Sequence, residues 1–189
     1  MILYLTVISL SAAVIALGNL LLHSPAAQWG IFPTVLLVAL EVAAVILLDG
    51  LEALLIRRLP ERYFEAERPV FAVSPAERRL WRALGVRRWC DKIPELGGFS
   101  GFHKDRVREP KNSTYLARFL LESNYGVAIH LANALSGLLL LAILPKITLW
   151  VALPVACVNC ILSLLPLGAL RYNAPALLSL YRLAKKRGL

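Results

Sequence analysis

The sequence predicts an all-α, polytopic membrane protein of about four transmembrane helices with an interfacial helical segment on the cytoplasmic side. Three observations predict it. First, the 189-residue chain is 58% hydrophobic, more than a soluble domain of this size tolerates. Second, its apolar runs approach or exceed the roughly 20 residues that a helix needs to cross a hydrocarbon core. Third, Arg and Lys are excluded from those runs: 15 of the 21 basic residues fall between Arg57 and Arg118, and five between Arg171 and Arg187.

The first expected span, residues 2–22, contains no Asp, Glu, Lys, Arg or His. A cleaved signal peptide is the competing reading, but the run lacks the basic n-region that such a peptide needs. The second, 31–56, carries Glu41, Asp49 and Glu52. Asp49 and Glu52 are close enough to Arg57 and Arg58 to be neutralised there. Glu41 lies nearer mid-bilayer, where a carboxyl group is protonated, paired or turned to a cavity.

The third expected span, 126–144, is interrupted by His130, Asn133 and Ser136, and the fourth, 147–170, contains Pro154 and Pro166, which predict bends. Short cytoplasmic loops retain Lys and Arg while translocated ones lack them. The uncharged loop 23–30 and the Pro145–Lys146 turn are therefore expected outside, and the basic segment 57–125, the tail 171–189 and both termini inside. One membrane domain over 1–189 is expected, and this distribution accounts for the net charge of +9 without nucleic acid.

The segment 57–125 reads as an organised region. Ser74-Pro75-Ala76-Glu77 has the form of a capping box opening a helix. Beyond it, Leu80, Trp81, Leu84, Val86 and Trp89 alternate with Arg78, Arg79, Arg82, Arg87 and Arg88. A helix carrying them would set its rings at headgroup level with arginines reaching lipid phosphates.

A glycine-rich stretch, Lys92 to Lys104, follows; its backbone amides suit an anion, although its spacing matches no nucleotide motif. Asn112-Ser113-Thr114 fits a glycosylation sequon only by chance if this segment is cytoplasmic. From Ser113 the pattern turns helical again and runs into the third span. Glu122 and His130 lie on that run, about 12 Å apart in rise and about 80° apart around a regular helix. Direct contact would need a break, for which Gly126 is placed.

The three cysteines, Cys90, Cys157 and Cys160, form no disulfide framework. Cys157-x-x-Cys160 sits in an apolar helix with no other ligand cluster, so small-residue packing is expected there and no metal site.

Several motifs occur in a fixed order: Leu59-Pro60-Glu61-Arg62-Tyr63-Phe64; Trp81 with Val86-Arg87-Arg88-Trp89-Cys90-Asp91-Lys92-Ile93; Glu122 with Gly126 and His130; and Arg171-Tyr172-Asn173-Ala174-Pro175-Ala176-Leu177. The ordered set resembles the glycosyl-4,4'-diaponeurosporenoate acyltransferase family, the staphyloxanthin-type carotenoid acyltransferases, over roughly 57–187. Val127 and Leu131 stand where the family pattern has an acidic residue and a Trp, and Ser163 where it has an Asn. The resemblance implies transfer of a fatty acyl group to a sugar hydroxyl of a glycosylated carotenoid, or to a related lipid alcohol. It implies no cofactor beyond the donor substrate, an acyl-CoA or acyl carrier protein.

Such a reaction needs a base, donors for a developing oxyanion and a grip on the donor. His130 is the expected base. Glu122 either orients it, acts as a base itself, or pairs with Arg118 one turn earlier. His103 is the reserve. Asn133 and Asn159 are candidate donors to an oxyanion or a sugar hydroxyl, or interhelical glue. Arg87, Arg88, Lys92 and Lys104 are candidate grips for donor phosphates or an acidic carrier surface. Arg171 and Asn173 read equally as structural or donor-binding. A non-catalytic lipid-binding or scaffold subunit is the alternative function. Oligomeric state is not legible.

Overall fold

The computed structural model describes residues 2–93, 106–143 and 149–188. Among them there are five α-helices and no strands: α1 (Ile2–Leu21), α2 (Ile31–Arg57), α3 (Pro75–Ala83), α4 (Ser113–Ile143) and α5 (Leu149–Lys186). Short 3-10 turns fill the connections. Among the described residues three helices, α1, α2 and α5, are long and apolar enough to cross a membrane. Their large apolar side chains are extensively exposed, with Leu10, Leu21, Phe32, Leu47 and Ile161 among them. In water such a surface would drive association, whereas lipid tails solvate it without cost.

The chain forms two compact units, one of residues 1–54 and 131–164, the other of 55–130 and 165–189. In the first, Ile15 and Ala16 of α1, Val38 and Val45 of α2, and Val151 and Val155 of α5 share an apolar core. Glu41 is buried on α2 between Val38 and Val45. Polar groups fasten the helix ends. Buried Asn19 donates to the Trp150 carbonyl at 3.1 Å and accepts from Ser24 Oγ at 2.6 Å. The turn into α2 places Gly30 at φ +100°, a conformation that side-chain-bearing residues rarely adopt. Thr34 Oγ1 then donates to the Gly30 carbonyl at 2.7 Å.

The second unit departs from one sequence expectation and extends another. The interfacial helix expected to run to Trp89 stops at Ala83, because the chain turns through Gly85 at φ +64° and continues as 3-10 turns over Val86–Arg88 and Cys90–Lys92. The helix that carries the last expected span continues past Leu170. Helix α5 runs through Pro154, Pro166 and Pro175 to Lys186. Its 38 residues exceed the roughly 20 that a helix needs to cross a hydrocarbon core.

Candidate functional site

The family-like motifs fold together in the second unit. Phe64, from the first motif, stacks on Tyr125 of α4 with ring centroids 4.0 Å apart, and Tyr125 Oη donates to the Leu59 carbonyl at 2.8 Å. Asn124, one residue earlier and buried, donates to the Phe64 and Glu65 carbonyls at 2.9 and 3.2 Å. Sequence reasoning singled out neither Asn124 nor the Tyr125 hydroxyl. A run of polar side chains, Ser123 to Tyr125, within the helical pattern and facing a proline-containing link whose carbonyls need donors was the available signal.

Glu122 lies on the same stretch of α4 and is 1% exposed. Its Oε1 accepts from Arg118 Nη2 at 2.6 Å and its Oε2 from Arg57 Nη1 at 3.1 Å. Arg118 also bonds Glu61 at 2.8 Å, so the network joins the end of α2, the first motif and α4. Pairing with Arg118, one of the expected roles of Glu122, is present. The helix is unbroken at Gly126, so Glu122 and half-buried His130 keep their separation of about 12 Å in rise.

Arg171, on α5, makes the densest set of contacts. Its Nε and Nη2 grip the two carboxylate oxygens of Glu77 at 2.6 Å each, while Nη1 and Nη2 donate to the Phe71 and Ala72 carbonyls at 2.7 and 3.1 Å. Arg171 Nε thus stands beside the carboxylate that also accepts from Trp81 Nε1 at 3.0 Å. Both halves of the expected capping box are present, the Ser74 backbone N–H also bonding the Glu77 carboxylate. Ser74 Oγ accepts from the Glu77 backbone N–H. The Arg171 guanidinium holds the Glu77 carboxyl below its ordinary value, with burial opposing and the Trp81 bond assisting. Closer to the start of the motif, Gly168 receives the indoles of Trp81 and Trp89. A Cβ there would lie 3.0 Å from Trp81 Cζ3 and 3.4 Å from Trp89 Cη2.

The expected donor grips separate. Arg87 and Arg88 line one open groove of about 620 Å³ together with Arg82, Ala83, Gly85 and Tyr172. Lys92 and Asn173 are exposed and lie off that lining. His103 and Lys104 lie outside the described residues.

In the first unit, Asn159 Nδ2 donates to the Asn133 carbonyl at 3.0 Å and to Asp49 Oδ1 at 3.3 Å. Asn133 is buried on α4. Asp49 was expected to look to the α2 arginines, and its Asn159 partner comes from α5, a pairing that no local spacing reveals. Cys157 is exposed and Cys160 half-buried, both as free thiols on α5. No cluster of metal-ligating side chains occurs among the described residues.

Comparisons with curated proteins and with solved structures found no match. The family model described as glycosyl-4,4'-diaponeurosporenoate acyltransferase matches residues 60–183, a span that takes in the Glu61–Arg118 pair, Glu122, His130 and the Arg171 clamp. The chain belongs to that family.

Proposed function

We propose that this protein is a multi-pass membrane acyltransferase that moves a fatty acyl group from a thioester donor to a hydroxyl of a glycosylated carotenoid or a related lipid alcohol. The single observation that carries the reading is the family match over 60–183. Helices α1, α2 and α5 supply three crossings, residues 126–144 a fourth, and both termini face the cytoplasm, as the distribution of Arg and Lys favours.

His130 is the proposed base. Its imidazole takes the proton from the acceptor hydroxyl as the oxygen attacks the thioester carbonyl; the tetrahedral intermediate then expels the thiolate, which recovers the proton from the imidazolium. Asn133 is the proposed amide donor to the oxyanion or to the acceptor sugar. Glu122, bonded to two arginines, is better suited to holding this part of α4 in place than to taking a proton. An ionisable group on an apolar run is costly unless it is used, which supports His130 over a solvent-facing base.

The test is mass spectrometry of total lipids and pigments from cells supplied with a glycosylated carotenoid. The cells express either the unaltered protein or His130→Ala at matched membrane abundance. A species heavier by one fatty acyl group is expected only with the unaltered protein. Its persistence in the variant would remove His130 from the mechanism, and its absence from both would remove this acceptor.

A further inference from the structure

The left-handed turn at Gly85 does more than end α3. By stopping the helix at Ala83 and reversing into the Val86–Arg88 turn, it brings Arg82, from the last turn of α3, onto the same groove as Arg87 and Arg88. A continuous helix would have put Arg82 and Arg88 about 120° apart around its axis, on different faces. Tyr172 of α5 completes the lining. Buried Val86 anchors the turn from beneath, and the contact of Trp81 and Trp89 with Gly168 holds the segment on α5.

The groove gathers basic side chains that lack the carboxylate partners of the unit's ion pairs. Arg57, Arg118, Arg171, Arg182 and Lys185 each carry an acidic partner. Arg82, Arg87 and Arg88 are exposed and make no ion pair or side-chain hydrogen bond among the described residues, and no acidic side chain lines the groove. Three unneutralised guanidiniums facing one space repel each other, and an anion bearing several negative charges relieves that repulsion. Guanidinium groups bind phosphate oxygens through paired N–H donors. A volume of about 620 Å³ falls within the range of about 300–1,000 Å³ typical of small-molecule sites, which is more than a lone phosphate fills.

We propose that the groove of Arg82, Arg87, Arg88 and Tyr172 is a clustered-phosphate site that takes the nucleotide end of a coenzyme A thioester, its 3′-phosphate and pyrophosphate meeting the three arginines. The choice of ligand rests on the acyl-transfer reading; the phosphate chemistry rests on the groove alone. A phosphodiester lipid headgroup shares that chemistry but brings a single phosphate charge to three guanidiniums.

The experiment is titration of the full-length protein, in neutral detergent, with adenosine 3′,5′-bisphosphate, which contains the nucleotide phosphates of the coenzyme and no thiol. Saturable binding that coenzyme A competes away is expected. The Arg87→Gln/Arg88→Gln pair should weaken it at least tenfold, and Arg88→Lys, which keeps charge and loses the fork, by less. Arg79→Gln, exposed on α3 but off the groove, should leave it unchanged. Absence of binding by the unaltered protein overturns the proposal, as does equal affinity in the paired variant. Loss of binding to phosphatidylglycerol vesicles in the pair, with no nucleotide binding by any form, also overturns it and assigns the groove to lipid headgroups. Transfer from an acyl-CoA with an unchanged KM in the pair sinks the groove proposal and leaves acyl transfer standing. Nucleotide binding that follows the expected pattern, without acyl transfer to any acceptor, supports the groove and sinks the enzymatic reading.

Discussion

Arg171 was legible as a residue of consequence from its motif and its place near the expected end of an apolar run, but not as the holder of α3. Its four contacts, to two carboxylate oxygens and two carbonyls, come from residues about a hundred positions away. Arg171→Ala should therefore destabilise the protein by about 3 kcal/mol, the lower end of the cost of breaking a largely buried pair, read as a fall in the unfolding midpoint. Arg171→Lys should recover only part, because an ammonium cannot span both oxygens. The sign of the pH dependence follows from the depressed Glu77 carboxyl. The stabilisation is fully present above the ordinary value of 4.5 and is lost as pH falls below it through the lower folded value. Acid titration followed by Trp fluorescence should show this transition in the unaltered protein, and Glu77→Gln should remove it. Glu122 carries the same lesson. Spacing revealed the Arg118 partner one turn away, whereas Arg57, 65 positions earlier, is brought in by folding. Glu122→Gln should cost about 2 kcal/mol, moderated because both guanidiniums reach water.

At the scale of elements, the start of α3 was legible because a Ser–Pro cap acts within one turn. Its end was not, since Leu84, Val86 and Trp89 continue an amphipathic pattern past Gly85, and the positive φ there is decided by what the segment packs against. Gly168 shows the force of that packing. Alanine is better than glycine in a helix interior by about 1 kcal/mol, yet its methyl would meet a Trp81 ring whose Nε1 is tied to Glu77. Overpacking of that kind costs about 1–3 kcal/mol, so Gly168→Ala should lower the thermal midpoint and change the Trp emission. In the other unit, α4 and α5 meet through Gly137 and Asn159, where a Cβ on the glycine would lie 3.1 Å from Asn159 Nδ2. Asn159→Leu should loosen that pair by about 1 kcal/mol, the usual worth of an interhelical hydrogen bond in a membrane, measured by unfolding in mixed micelles.

For the whole molecule, charge distribution predicts sidedness. In a background with Cys90, Cys157 and Cys160 replaced by serine, Ala27→Cys should react with an impermeant maleimide added outside intact cells, and Lys186→Cys only after the membrane is opened. The reverse pattern would invert the proposed orientation. The sequence by itself determined the helical class, the apolar runs, the start of α3 and the family, because hydropathy, capping and ordered motifs are local properties that survive without knowledge of the fold. It also marked His130 and the basic segment as places for chemistry. Only the tertiary structure decided which arginines are neutralised and which are left open. Arg57 and Arg171 find carboxylates from distant parts of the chain, as does Arg118 in Glu61, while the turn at Gly85 sets Arg82, Arg87 and Arg88 on one groove. The physical reason is that a guanidinium pairs with whatever carboxylate folding brings within about 3 Å, and sequence separation does not encode that distance.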